Sequence, residues 1–186
     1  MRGALEALLE ELADDEGGRV KLSRPQRDTR FSPDKSPYKT RAYGVILDRP
    51  ASVAALYVEL SLDGLFAGTG YYGLATDQLA RFRAAIDDEG SGAELEAIVA
   101  QVRATGVETF GAALKTAPRG YPRDHPRVGL LRHKMLVAGR RVAPGADGIA
   151  RGAALDLCRT TWSACTAMNG WLDEHVGPSE LPAVRR

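Results

Sequence analysis

One stretch constrains the fold more than any other: "LYVELSLDGLFAGTGYY", Leu56 to Tyr72. Leu56, Val58 and Leu60 alternate with Tyr57 and Glu59, the period of a strand with one buried and one open face. Asp63-Gly64 interrupts the alternation, and glycine tolerates the positive φ that a tight hairpin turn requires. An antiparallel hairpin around Asp63-Gly64 is therefore predicted, spanning Ala54 to Tyr72. Gly68, Gly70 and Gly73 thin out its second strand, which reads either as strand irregularity or as a place where something approaches the backbone closely.

The rest of the chain supplies partners for that hairpin. Leu5, Leu8, Leu9 and Leu12 mark an opening amphipathic helix, ended by Gly17-Gly18. Strand-like runs cover Val20 to Leu22 and Ala42 to Leu47. A helix over Asp77 to Asp87 shows Leu79, Phe82 and Ile86 on one face. Ser91 with Glu94 reads as a capping box for a second helix, with Leu95, Ile98, Val99 and Val102 along its stripe. Thr109 to Lys115 and Lys134 to Val142 read as strands. Asp147 is placed to cap one closing helix carrying Leu155, Cys158, Trp162, Cys165, Met168 and Leu172. Strands in a meander with helices set apart predict an α+β fold: an antiparallel sheet with a central hairpin, packed by three to four helices. With 186 residues, 44% of them apolar, the chain is read as a single domain over residues 1–186.

Charge carries the functional argument. The net charge is only +1, so no global field draws the molecule to nucleic acid or an anionic surface. Yet Arg19 to Arg41 holds eight basic residues against Asp28 and Asp34, and Lys115 to Arg141 holds eight against Asp124 alone. The remainder is correspondingly acidic. Two Pro-rich loops lie in these segments, "RFSPDKSPYKTR" from Arg30 and "LKTAPRGYPRDHPR" from Leu114. Folded onto one face they would build an anion pocket from Arg27, Arg30, Lys35, Tyr38 and Lys39 with Lys115, Arg119, Tyr121 and Arg123. Convergent arginines recognise phosphate or carboxylate bidentately, and prolines lower the entropy lost when a ligand is clamped. The alternative is a structural network in which Asp28, Asp34 and Asp124 pair the bases.

Several chemistries fail on the residues. "GTGYYG" has no Lys-Ser/Thr at the spacing of a phosphate loop, and no Gly-x-Ser-x-Gly elbow occurs. His125, His133 and His175 lack zinc-ligand spacing, so no metal and no cofactor is expected. Cys158 and Cys165, about 10 Å apart if on one helix, lie beyond disulfide reach and read as buried thiols of a reducing compartment. No apolar run approaches the roughly 18 residues of a membrane span. A cytoplasmic protein is expected, with no membrane partner.

"RPQRDTRFSPDKSPYKT" (Arg24 to Thr40), "GYY" (Gly70 to Tyr72), "LKTAPRGYPRDHPRVGLLRHK" (Leu114 to Lys134) and "MNGWLDEHV" (Met168 to Val176) together resemble the family called domain of unknown function 2461. The resemblance spans nearly the whole chain. It implies an intracellular α+β domain found widely in bacteria, and it brings no agreed activity, cofactor or catalytic residue. The chain departs from that pattern at Gln26, at Gly170 inside the closing helix, and before its first helix. There the resemblance implies a further segment bearing Asn and Trp, which would put Met1 inside the family domain.

Three function classes stay open. The first is a protein that binds a small phosphate- or carboxylate-bearing ligand through the basic residues. The second is an enzyme acting on an anionic metabolite, with Lys115, Tyr121 or His125 as acid/base. The third is a docking protein that offers a basic face to nucleic acid or an acidic partner. Aromatics make up 6% of the chain, which disfavours a broad nucleic-acid surface. The small anionic ligand comes first.

Overall fold

Alternation and turn chemistry produce the hairpin in the computed structural model, which describes residues 2–26, 38–111, 114–145 and 149–182. Its strands are Ala55–Ser61 and Gly64–Tyr71. Ser61 pairs with Gly64, so Leu62 and Asp63 form the two-residue loop. Neither has a positive φ; Gly64 supplies it, at +108°, on the position after the turn. The signal was real but displaced by one residue: a turn with ordinary central residues, followed by a glycine of positive φ that opens the next strand.

Six strands form one antiparallel sheet: β1 (Arg19–Leu22), β2 (Ala42–Leu47), β3 (Ala55–Ser61), β4 (Gly64–Tyr71), β5 (Glu108–Phe110) and β6 (Leu136–Val142). Their spatial order is β1-β2-β3-β4-β6-β5. The α+β class holds, with six helices among the described residues: α1 (Arg2–Glu16), α2 (Thr76–Asp87), α3 (Glu89–Ala104), α4 (Val128–Leu131), α5 (Arg151–Ala164) and α6 (Thr166–His175).

Register decides which side chains meet the helices. Ile46, Leu56 and Thr69 are level across β2, β3 and β4, as are Gly44, Val58 and Ala67. This face is buried in two clusters. One joins Ile46, Leu56, Val58 and Leu65 to the leucines of α1 and to Leu155, Cys158 and Trp162 of α5. The other joins Tyr71, Leu136 and Ala138 to Phe82, Leu95, Met168 and Leu172. Between the clusters, Trp162 Nε1 donates to the Gly68 carbonyl at 3.0 Å and Asn169 Nδ2 donates to Thr69 Oγ1 at 2.9 Å. The opposite face, bearing Tyr43, Tyr57, Glu59, Phe66 and Phe110, contributes nothing to either cluster. Among the described residues the apolar clusters cover the sheet on one side only.

Several local expectations are corrected. Asp88, not Ser91, caps α3: its side chain accepts from the Ser91 N–H at 3.0 Å, one turn earlier than the capping box implied. The predicted strand from Thr109 stops at Phe110. The closing helix is two helices, broken at Cys165, whose N–H donates to Trp162 three residues back and tightens the turn. Gly170 lies inside α6 and breaks nothing. Asp147 lies outside the described residues. Among the described residues no helix is long and apolar enough to cross a membrane.

Candidate functional site

The strand register separates the two basic stretches. Ala42 pairs with Leu60, Leu60 with Leu65 and Leu65 with Val142, so the start of β2 is level with the end of β6. Phe110 pairs with Val137, so β5 runs out beside the start of β6. The first stretch thus leaves the sheet at one end and the second at the other, about 20 Å apart along a seven-residue strand. Tyr38 and Lys39 do not meet Lys115, Arg119 or Tyr121. Arg27, Arg30 and Lys35 lie outside the described residues. Convergence of the two loops into one pocket fails for the residues described.

Each described candidate has a local setting. Tyr38 is 64% exposed, bridged to Gln26. Lys39 donates to the Tyr43 hydroxyl at 3.3 Å and sits 4.8 Å from that ring's centroid. Lys115, Arg119 and Arg123 are exposed. Tyr121 packs against the core, and burial, then the Asp87 charge, pushes its hydroxyl above the ordinary value. His125 faces Asp87 through Nε2 at 3.1 Å, while its Nδ1 accepts from the Arg127 N–H at 3.0 Å. Both ring nitrogens are engaged in holding the loop.

Arg127 explains much of the second stretch. Its guanidinium donates to the carbonyls of Ile86 (2.7 Å), Asp87 and Asp88 (both 3.1 Å), at the junction where α2 ends and Asp88 caps α3. Gly92 is bare where a Cβ would run into that guanidinium. Arg132 and Arg140 likewise donate to backbone carbonyls, of Leu114 and Thr105. These bases are paired with peptide oxygens, although the Arg140 Nε is buried without a partner, and such pairing explains how they exist beside so few acids.

The strongest electrostatic site lies instead on the open face of the sheet. Glu59 is only 4% exposed although it points away from the core. Its neighbours across the sheet are Tyr43 and Phe66. Arg41 donates to one carboxylate oxygen at 3.0 Å and Arg141 to the other at 2.9 Å, and the Tyr57 hydroxyl donates at 2.8 Å. Burial by itself would raise the Glu59 carboxyl; the hydrogen bonds from Arg141 and Tyr57 and the two arginine charges outweigh it and hold the group below its ordinary value. Burial and the same carboxylate push the Tyr57 hydroxyl up, so it stays a donor. The arginine side chains remain 57% and 39% exposed. Lys39 adds a third cation over the neighbouring Tyr43 ring, and the arginine forks keep donors toward solvent.

Aromatic rings adjoin the cations. Centroids run Tyr43 to Tyr57 at 5.7 Å, Tyr57 to Phe66 at 5.9 Å and Phe66 to Phe110 at 5.9 Å. Gly68 and Gly139 make room: a Cβ on Gly68 would stand 2.8 Å from the Phe66 ring, and one on Gly139 would collide with it. The thinning of the second strand is thus a floor for Phe66. A cleft of about 360 Å³ opens beside Lys39, Arg41 and Tyr43, bounded by Arg2, Leu5 and Leu22.

Sequence reasoning missed Arg41, Glu59, Arg141, Phe66 and Phe110 as site residues. The available signal was Glu59 itself, a carboxylate in mid-strand on the non-core face beside Tyr57. Its arginine partners stand 18 and 82 residues away, beyond any local pattern. Among the described residues no group of three or more His, Cys, Asp or Glu could hold a metal ion.

No curated protein and no solved structure matches this chain. The family model described as "Conserved hypothetical protein (DUF2461)" nevertheless matches residues 2–171, which take in the basic and Pro-rich motifs and the start of the closing one, Met168 to Trp171, and the chain belongs to that family.

Proposed function

We propose that this protein binds a small anionic ligand, phosphate- or carboxylate-bearing, on the open face of its sheet through Lys39, Arg41 and Arg141. The observation that carries the reading is one buried carboxylate gripped by two half-exposed arginines. Glu59 holds the two guanidiniums in place before a ligand arrives, so little side-chain entropy remains to be lost on binding. Two arginines against one carboxylate already leave the local charge positive, and a third cation, Lys39, raises it further. Charge-assisted, bidentate hydrogen bonds to phosphate or carboxylate follow from that geometry.

Binding is favoured over proton transfer. Glu59 is held ionised and Tyr57 is held protonated, so neither has the intermediate affinity for a proton that general acid/base catalysis uses. We place the activity in the cytoplasm, in keeping with two free, buried thiols at Cys158 and Cys165.

The test is a thermal melt at constant ionic strength with inorganic phosphate, pyrophosphate or citrate replacing chloride. The melting temperature should rise with ligand concentration, and Arg141→Met should remove the rise while leaving a folded protein. An unchanged melting temperature in all three anions would defeat the reading.

A further inference from the structure

We infer that the anion bound on this face is part of a nucleotide, with a planar base attached to the phosphate. The inference rests on the anion reading above and adds a ring-binding half to the same site. A ligand that was only an anion would need the cations alone. Here four rings lie in a chain beside them, on a face that the helices leave open and that neither apolar cluster uses. Phe110 is 40% exposed at the far end of that chain. It lies on the edge strand β5, and it reaches Phe66 on β4 across the intervening β6, over the bare Gly139.

Charge and spacing select the occupant. An apolar partner would leave the outward donors of Arg41 and Arg141 unused, and a purely acidic one would have no use for Phe110. The Arg141 guanidinium carbon lies 5.3 Å from the Phe66 centroid, and Phe66 lies 5.9 Å from Phe110. A phosphate at Arg141 and a ring on Phe110 call for an extended ligand with an anion at one end and a planar group at the other, as a nucleotide has. Stacking on an aromatic face tolerates every base, since each has a π-surface. The site would therefore discriminate nucleotide from sugar phosphate more sharply than one base from another.

Calorimetric titration of the full chain with AMP, adenosine, ribose 5-phosphate and inorganic phosphate tests this. AMP should bind about fivefold or more tighter than ribose 5-phosphate, the effect of one stacked base. Phe110→Ala should bring AMP down to the level of ribose 5-phosphate without changing the latter, and Arg141→Met should weaken both. Phe110→Leu keeps apolar cover on the sheet and removes the stack, so it serves if the alanine variant folds poorly. Equal affinity for AMP and ribose 5-phosphate would overturn the nucleotide inference and leave the anion reading intact. No binding of any phosphate compound would overturn the nucleotide inference and narrow the anion reading to a carboxylate ligand. Tight binding of a ten-residue oligouridylate, with UMP and AMP silent, would also overturn it, in favour of a polymer.

Discussion

Glu59 is the residue whose burial most needs explaining. A carboxylate with 5% of its side chain exposed is tolerable because Tyr57, Arg41 and Arg141 satisfy both of its oxygens. Replacing it by glutamine leaves two arginines competing for a neutral amide. The arginines are half exposed, so solvent screens part of the loss, and Glu59→Gln should cost about 1–2 kcal/mol at pH 7 in urea unfolding, less than a fully buried pair. The sign of the pH dependence follows from the depressed carboxyl. Its stabilisation is complete above the ordinary glutamate value of 4.5 and is lost as pH falls through the lower folded value. Wild type and Glu59→Gln should therefore differ most at neutral pH and converge on acidification below 4.5. A gap that widens in acid would contradict the assignment.

At the scale of elements, the loop between β5 and β6 is held by its basic residues through backbone oxygens. Arg127 ties that loop to the end of α2 by three carbonyls, and His125 adds a contact to Asp87 from the same loop. Arg127→Met should cost about 1–3 kcal/mol, the scale of hydrogen bonds to a charged group whose loss strands their acceptors. Arg119→Met, on an exposed turn of the same loop, should stay within about 0.5 kcal/mol. Chemical denaturation of the two variants side by side checks the contrast. Equal losses would mean the loop's bases act as one network, which the expectation of pairing with Asp124 required.

For the molecule as a whole, one-sided covering of the sheet sets what is protected and what is offered. Cys158 and Cys165 lie on the covered side, both fully buried. Burial pushes their thiols up to about 12 and about 11. Thiol labelling of native protein at pH 8 should be slow at both, and should accelerate together as denaturant opens the fold, because each needs the helical layer to lift. Rapid labelling of either in native buffer would show that layer to be loose.

What the sequence by itself determined is local. The period of Leu56, Val58 and Leu60 chose the core face of β3, and the spacing of Leu5, Leu8, Leu9 and Leu12 chose the buried stripe of α1, because side-chain direction follows directly from backbone period. Turn glycine near Asp63 ensured the hairpin, though its register slipped by one. The site escaped that reading. Arg41 stands just before β2, Glu59 lies in β3, and Arg141 lies in a strand that enters the sheet only after three helices and β5 have intervened. Only the pairing of β4 with β6 brings Arg141 level with Phe66 and within reach of Glu59. The same pairing sends the two basic loops to opposite ends. Like charge in two segments says nothing of their separation; backbone hydrogen bonds between distant strands decide it.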